Sequence, residues 1–412
     1  MFIEAHPNNK IHTYVNNSGI LCTFANQYLK KFMTDLFEDI RPYTEEEAPE
    51  KIAQIIGNET FINTLKQYIP DYSPEQLQED ARHFNTIYDF QYATSRRYIE
   101  KFIQLSTAGV TFKGLENISP DKNYVFIGNH RDITFDAAML EEYLFLNQYN
   151  TTKIAIGDNL VSSRLLAEVG MLNKMFIVKR SVSIREKITN YQHLAAYIHH
   201  VLFNEHESVW IAQRDGRTKD GLDVTKQGLV KMLAMDEHLS PMEMLKKINL
   251  TPLTISYEYE PCDKLKAREL ALSEAGPYHK QQGEDFESII QGIMSFKGRA
   301  QLTIGKPILA ELDAISDELN QNDKIYEVCK LVDQQIYQNY KLFPNNFIAF
   351  DLIDRNNTFA DRYTVEEKEK FLAYLDKQAV TEDVPKEKMM HYLLRIYANP
   401  VTTSLNIKYN EQ

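Results

Sequence analysis

Tyr124-Val125-Phe126-Ile127-Gly128-Asn129-His130-Arg131-Asp132-Ile133-Thr134-Phe135-Asp136 reads as a short buried strand that ends in a polar loop just ahead of a helix. Its first four residues are an apolar run rich in β-branched and aromatic side chains. The stretch DAAMLEEYLFL (136–146) that follows has helical spacing. The same alternation extends in both directions. VTFKGLENI (110–118), KIAIG (153–157), MFIVKRS (175–181), ESVWIAQ (207–213), NLTPLTISYEY (249–259) and QLTIGKPI (301–308) read as strands. LVSSRLLAEV (160–169), REKITNYQHLAAYIHHVLF (185–203) and DVTKQGLVKMLAM (223–235) read as helices between them. Strands alternating with helices predict an α/β sheet covered on both faces, with its site in loops at the C-terminal ends of strands.

The flanks read differently. LCTFANQYLKKFMTDLF (21–37), PEKIAQII (49–56), TFINTLKQYI (60–69), PEQLQEDARHF (74–84) and SRRYIEKFIQL (95–105) place apolar residues three or four apart, which predicts a helical bundle over residues 1–105. Ala48-Pro49 and Ser73-Pro74 have the form of helix starts. The α/β part spans 106–312, and residues 313–412 turn helical again. There, Thr364 and Glu367 form a capping box, Pro385 starts a helix and Asn399-Pro400 ends it.

Composition narrows the function. The 412 residues are 43% hydrophobic and 25% charged, an ordinary globular balance. The net charge of -12 disfavours general nucleic-acid binding. Residues 151–231 run against that trend, with 12 Lys and Arg against 8 Asp and Glu, a local charge of +4. A basic stretch in an acidic chain suits an anionic substrate or anionic headgroups. The three cysteines, Cys22, Cys262 and Cys329, are too few and too scattered for a disulfide framework or a zinc site, and they fit a reducing cytoplasm. The opening MFIEAHPNNK lacks the form of a signal peptide, and no run has the roughly 20 apolar residues that a spanning helix needs.

Three stretches could carry chemistry. In the opening segment, His130 with Asp132 or Asp136 could act as a general base, the carboxylate fixing the imidazole tautomer. Asp132 could equally be a helix cap. A kinase reading of His130-Arg131-Asp132 fails, because Ala137 stands where the metal-binding Asn belongs. Lys179 and Arg180 follow a strand. Arg214, Asp215, Gly216, Arg217 and Lys219 form a basic turn after another, where backbone donors and cations could cradle a phosphate. Solvated surface cations are the plainer reading of both.

In their order along the chain, these segments resemble the glycerolipid acyltransferase superfamily, which includes glycerol-3-phosphate and 1-acylglycerol-3-phosphate (lysophosphatidic acid) acyltransferases, in a divergent bacterial-type branch. The resemblance spans roughly residues 109–308. NHRDITFD is similar to the family's His-and-Asp block, MFIVKRS to its second block, AQRDGRTKDG to its Glu-Gly-x-Arg-Ser block and TPLTISYEY to its Pro-containing fourth block. Two features depart from the pattern. Five residues separate His130 from Asp136, where the family has four, and only one separates it from Asp132. Asp136 is the favoured partner and Asp132 the alternative. Arg214 stands where the third block has Glu, with Asp215 one position later.

The resemblance implies a central mixed sheet flanked by helices. It implies acyl transfer from acyl-CoA or acyl-carrier protein, with His130 as base and no metal or organic cofactor. Arg131, Lys179, Arg180, Arg214, Asp215, Gly216, Arg217 and Lys219 become candidate acceptor contacts. Arg131 and the large helical N-terminal region lean toward glycerol-3-phosphate. The implied location is cytoplasmic and peripheral, on the inner face of the membrane. A non-catalytic lipid- or acyl-carrier-binding protein that kept the fold is the alternative, against which the intact His130 and its carboxylate argue.

Overall fold

The computed structural model describes residues 35–68, 73–161, 164–180 and 183–410. Two compact units divide the chain, residues 1–41 and 42–412. Only 35–41 of the first are described, so most of the helix expected over 21–37 lies outside the described residues.

Seven strands form one mixed sheet: β1 (Val110–Lys113), β2 (Val125–Gly128), β3 (Lys153–Gly157), β4 (Met175–Val178), β5 (Val209–Ala212), β6 (Leu250–Tyr257) and β7 (Ala300–Ile304). Their order across the sheet is β1-β7-β6-β2-β5-β3-β4. From β6 to β4 all neighbours are parallel, so the C-terminal ends of β2 to β6 lie along one edge. β7 pairs antiparallel with β6, and β1 runs parallel to β7. Central β2 is held on both sides, with Gly128 opposite Ala212 of β5 and Leu253 of β6.

The helix Phe135–Leu146 is buried along almost its whole length, as its nearly continuous apolar sequence requires. Its Phe135, Met139, Leu140 and Leu144 pack with Phe126, Ile255, Leu302 and Ile304 from the sheet. The helices Ala48–Ile56 and Ile87–Phe90 contribute to a second apolar cluster. The C-terminal helices Pro344–Asp354, Val365–Gln378 and Lys386–Asn410 build a third with Ala267 and Ala271. Ser73 and Thr364 cap their helices as the sequence predicts.

Three local expectations are corrected. The first strand stops at Lys113 rather than continuing to Ile118. Asn117 Nδ2 donates to the Ile304 carbonyl at 2.8 Å, taking the acceptor at the end of β7, and residues 115–117 form a single 3-10 turn. The helix expected over 223–235 is confined to Gln227–Leu233, because the preceding residues are held in a loop by long-range bonds. There, Thr225 donates to Asp333 and the Asp223 amide to the Tyr337 hydroxyl. The last helix also continues through Pro400 to Asn410. Asn399 Nδ2 donates to the Asp220 carbonyl at 2.6 Å, tying the loop after β5 to the turn that the proline disturbs.

Candidate active site

The site begins where β2 ends. Asn129 is buried and works as a bracket: Nδ2 donates to Asp223 Oδ2 (3.1 Å) and the Ile255 carbonyl (3.0 Å), while Oδ1 accepts from the Ile255 amide (2.8 Å). This fixes the loop against β6 before His130 leaves the sheet. His130 Nδ1 lies 3.0 Å from Asp136 Oδ2, and both side chains are buried. The same Asp136 oxygen accepts the backbone amides of Arg131 (2.6 Å) and Asp132 (2.9 Å), and Oδ1 accepts the Tyr257 hydroxyl at 2.9 Å. Burial and the neighbouring Asp136 and Asp132 charges push the Tyr257 phenol well above its usual pKa, so it remains a donor. A carboxylate that faces only donors accepts the proton of Nδ1, which leaves Nε2 as the basic nitrogen.

Asp132 does something else. Its Oδ1 accepts the amides of Thr134 (2.9 Å) and Phe135 (2.7 Å), capping the helix Phe135–Leu146. Its Oδ2 is buried without a hydrogen-bond partner. Of the two carboxylates weighed from sequence, Asp136 is the one placed on His130.

Arg131 is fully buried. Its Nε and Nη2 donate to Asp223 Oδ2 (3.1 and 2.6 Å), Nη1 to Glu260 Oε2 (3.2 Å) and Nη2 also to the Gly221 carbonyl (3.2 Å). Lys266 Nζ closes the network on Glu260 Oε1 and the Arg131 carbonyl, both at 2.6 Å. Two cations and two acids therefore sit beneath the His130 loop, so the Arg131 guanidinium faces inward rather than toward a substrate. Removing one member of such a network costs about 3–5 kcal/mol, because its partner is left as a lone buried charge.

The basic turn after β5 adjoins this loop, since the Thr218 amide donates to the His130 carbonyl at 2.6 Å. Gly216 has φ +70, at the apex of the turn. Arg217 is buried and its Nη1 has no partner. Its charge acts on Cys262, whose thiol burial pushes up to about 11, and on Asp285. Lys219 is bound by Glu269. Arg214 folds back on its own loop, with Nη1 3.5 Å from the Leu222 carbonyl and Nε buried without a partner. Asp215 is exposed.

At the ends of β3 and β4, exposed Arg180 lies against Gly157, where a Cβ would come within 2.5 Å of its Nε. The Arg180 amide donates to Asp158 Oδ1 at 3.3 Å, and Lys179 is half-buried beside it. Asn159 links this corner to Asp285 by a 3.0 Å bond. Burial opposes ionisation of the Asp285 carboxyl, but Lys280, Asn159 and Arg217 together hold it below the usual range. The basic turn and the Arg180 corner thus approach Asp285 from different strands.

Four polar residues that build the site had no signal in the sequence: Tyr257, Asp223, Glu260 and Lys266. Each meets the His130 loop from 90 or more residues away. Only the strand carrying Tyr257 was legible.

Residues 109–255 match the family model described as Acyltransferase. No curated protein matches the chain. Among solved structures, the 1-acyl-sn-glycerophosphate (LPA) acyltransferase PlsC from Thermotoga maritima aligns over 72% of this chain and 100% of its own. Its identity is 14% and its TM-score 0.34, a likeness too loose to bear on substrate.

Proposed function

We propose that this protein, whose residues 109–255 match the Acyltransferase family model, is an O-acyltransferase of phospholipid biosynthesis. It would move a fatty acyl group from acyl-CoA or acyl-carrier protein to a hydroxyl of glycerol-3-phosphate or 1-acylglycerol-3-phosphate. The observation that carries this reading is the 3.0 Å contact between His130 Nδ1 and Asp136 Oδ2, made on the loop that also touches the Arg217 turn.

In this reading His130 Nε2 takes the proton of the acceptor hydroxyl. The oxygen attacks the thioester carbonyl, the tetrahedral intermediate collapses with cleavage of the C–S bond, and the imidazolium returns its proton to the departing thiolate. Asp136 stabilises the imidazolium and keeps its ring in place. Arg217 and Arg180 are the proposed phosphate contacts, Arg217 because it brings a partnerless guanidinium nitrogen to the site. Arg131 acts from beneath as a positioning residue. No helix among the described residues is long and apolar enough to cross a membrane. The proposed location is peripheral, on the cytoplasmic face.

The test is release of thiol from palmitoyl-CoA by the purified protein, with glycerol-3-phosphate, 1-acylglycerol-3-phosphate or no acceptor added. Release that depends on a phosphorylated acceptor supports the reading. No release with any acceptor, using either acyl-CoA or acyl-carrier protein, overturns it in favour of a binding protein.

A further inference from the structure

Trp210, the only tryptophan in the chain, lies on β5 opposite Phe126 of β2 and Ile154 of β3. It is buried in the same apolar cluster as Phe126, Leu140 and Leu253. Two features set it apart from those neighbours. Its Nε1 is buried without a hydrogen-bond partner. Its indole also meets the His130 imidazole nearly at right angles, with ring centroids 6.0 Å apart and planes at 71°. That separation falls within the range of about 4.5–7 Å in which edge-to-face rings attract. An unmatched buried donor opposes stability, and an aliphatic side chain would fill this part of the core without one. Packing alone therefore does not account for a tryptophan here.

Gly128, the last residue of β2, is the other half of the arrangement. Glycine weakens a buried strand, and in such a place it marks a close approach. Gly128 has no left-handed φ, so space rather than backbone freedom is what it supplies. A Cβ on it would fall 3.1 Å from Trp210 Nε1 and 3.6 Å from Leu253 Cδ2. The indole thus occupies the room that the missing side chain leaves, two residues before His130. The imidazole itself has one hydrogen bond among the described residues, between Nδ1 and Asp136 Oδ2. One bond fixes one atom and leaves the ring free to pivot about it. The indole, set across the imidazole, closes that freedom.

We propose that Gly128 and Trp210 are a matched pair of positioning residues: the glycine admits the indole, and the indole holds the His130 ring so that Nε2 stays aimed at the acceptor hydroxyl. Trp210 touches no substrate and acts only through His130. The inference rests on the acyltransferase reading for its purpose. Small errors in the placement of a catalytic group are costly, since a misplacement of about 1 Å lowers a rate by about a hundredfold. A ring held at two points, by Asp136 at Nδ1 and by Trp210 across its plane, loses little of that advantage to thermal motion.

Two variants and two readouts test this. Trp210→Leu removes the ring. Gly128→Ala keeps every core atom and pushes the indole by a few tenths of an ångström, so it remains informative if Trp210→Leu does not fold. In steady-state kinetics, Trp210→Leu should lower kcat by at least about tenfold and Gly128→Ala by about threefold or more, with both KM values near wild type. Trp210→Phe, which keeps a ring, should lose less than Trp210→Leu. The second readout needs no turnover. In protein carrying 15N-labelled histidine, the Nδ1 proton signal of His130, identified by its absence in His130→Gln, should shift or broaden in Trp210→Leu and Gly128→Ala. Leu302→Ala, a truncation in the same cluster but on β7, should leave that signal in place. Wild-type kcat in both folded variants overturns the proposal. So does a fall in kcat with an unmoved Nδ1 signal, or a signal that Leu302→Ala disturbs equally. Failure of thiol release by the wild type with every acceptor would remove the catalytic reading, while the Nδ1 signal would still decide whether Trp210 holds the ring.

Discussion

Gly221 lies directly over the carbonyl of Ile396: a Cβ on the glycine would fall 2.3 Å from that oxygen. Ile396 is four residues before Pro400, so its carbonyl has no amide to meet within its own helix. The gap in the helical ladder is therefore where the loop after β5 comes down, with Gly221 at φ +81. Gly221→Ala is expected to lower stability by about 2–4 kcal/mol, from left-handed strain and a backbone clash together. Urea unfolding measures it. Because this loop carries Arg217, the acceptor KM should rise more than the donor KM.

The two carboxylates near His130 should separate cleanly. His130→Ala is expected to lower kcat by at least about a hundredfold in a folded protein. Asp136→Asn should be comparably severe, since the amide disturbs both the Nδ1 contact and the bonds from the Arg131 and Asp132 amides. Asp132→Ala should instead cost about 1 kcal/mol of stability through the lost cap, with a smaller loss of activity. Near-normal turnover in Asp136→Asn alongside a dead Asp132→Asn would reverse these assignments.

Tyr257→Phe probes support for the dyad from behind. It removes one donor from Asp136 Oδ1 and leaves a buried carboxylate oxygen short of a partner. A loss of about 1–3 kcal/mol in stability is expected. The decisive readout is kinetic: kcat should fall while both KM values stay near wild type.

Arg217 and Lys219 stand two residues apart in the basic turn but are differently placed. Lys219 is already paired with Glu269, whereas Arg217 Nη1 has no partner. Arg217→Ala should lower kcat/KM for a phosphorylated acceptor by about 1.5–3 kcal/mol, the range for hydrogen bonds to charged groups. Lys219→Ala should do markedly less. Steady-state kinetics with donor and acceptor varied separately distinguishes them, and equal effects would remove Arg217 from the phosphate contact.

Glu141 gives the fold a pH dependence of its own. Burial raises its carboxyl from 4.5 to about 7, against the bonds from the Thr152 amide and hydroxyl. Between these values the unfolded chain has lost the proton and the folded chain keeps it, so stability falls as pH rises through that window. The full cost, about 3 kcal/mol at 1.36 kcal/mol per unit, is reached above pH 7. Comparing urea unfolding at pH 4.5 and pH 7.5, Glu141→Gln should remove most of the drop that the wild type shows.

All seven strands were legible in the sequence, most of them as apolar runs between turns and β1, whose side chains alternate in exposure, by its period of two. The sheet order and the reversal of β7 were not, since neither leaves a mark on the residues of QLTIGKPI. At the site, a His and two carboxylates on one loop could be seen, but not which acid faces the ring. That depends on the turn of the helix from Phe135, and Asp132 takes up its first amides. Arg131 looked like a substrate contact because its two acids arrive from other parts of the chain, Asp223 at a separation of 92 residues and Glu260 at 129. Pro400 misled for a related reason. A local rule about helix ends was overridden by packing that includes Asn399 on Asp220.

The buried network under His130 also bears on how the chain could be cut or recombined. Arg131 joins the first loop to Asp223 after β5 and to Glu260 after β6, and the Glu260 amide donates to the Tyr397 hydroxyl at 3.0 Å. Tyr397 also donates to Asp263, together with Tyr374. The last hundred residues are thus part of the floor beneath the reacting groups. A shortened α/β fragment would keep every residue of the familiar motifs and still lose the ties that hold Glu260 and Asp263. Grafting the motifs onto another scaffold would require transplanting those distant tyrosines as well.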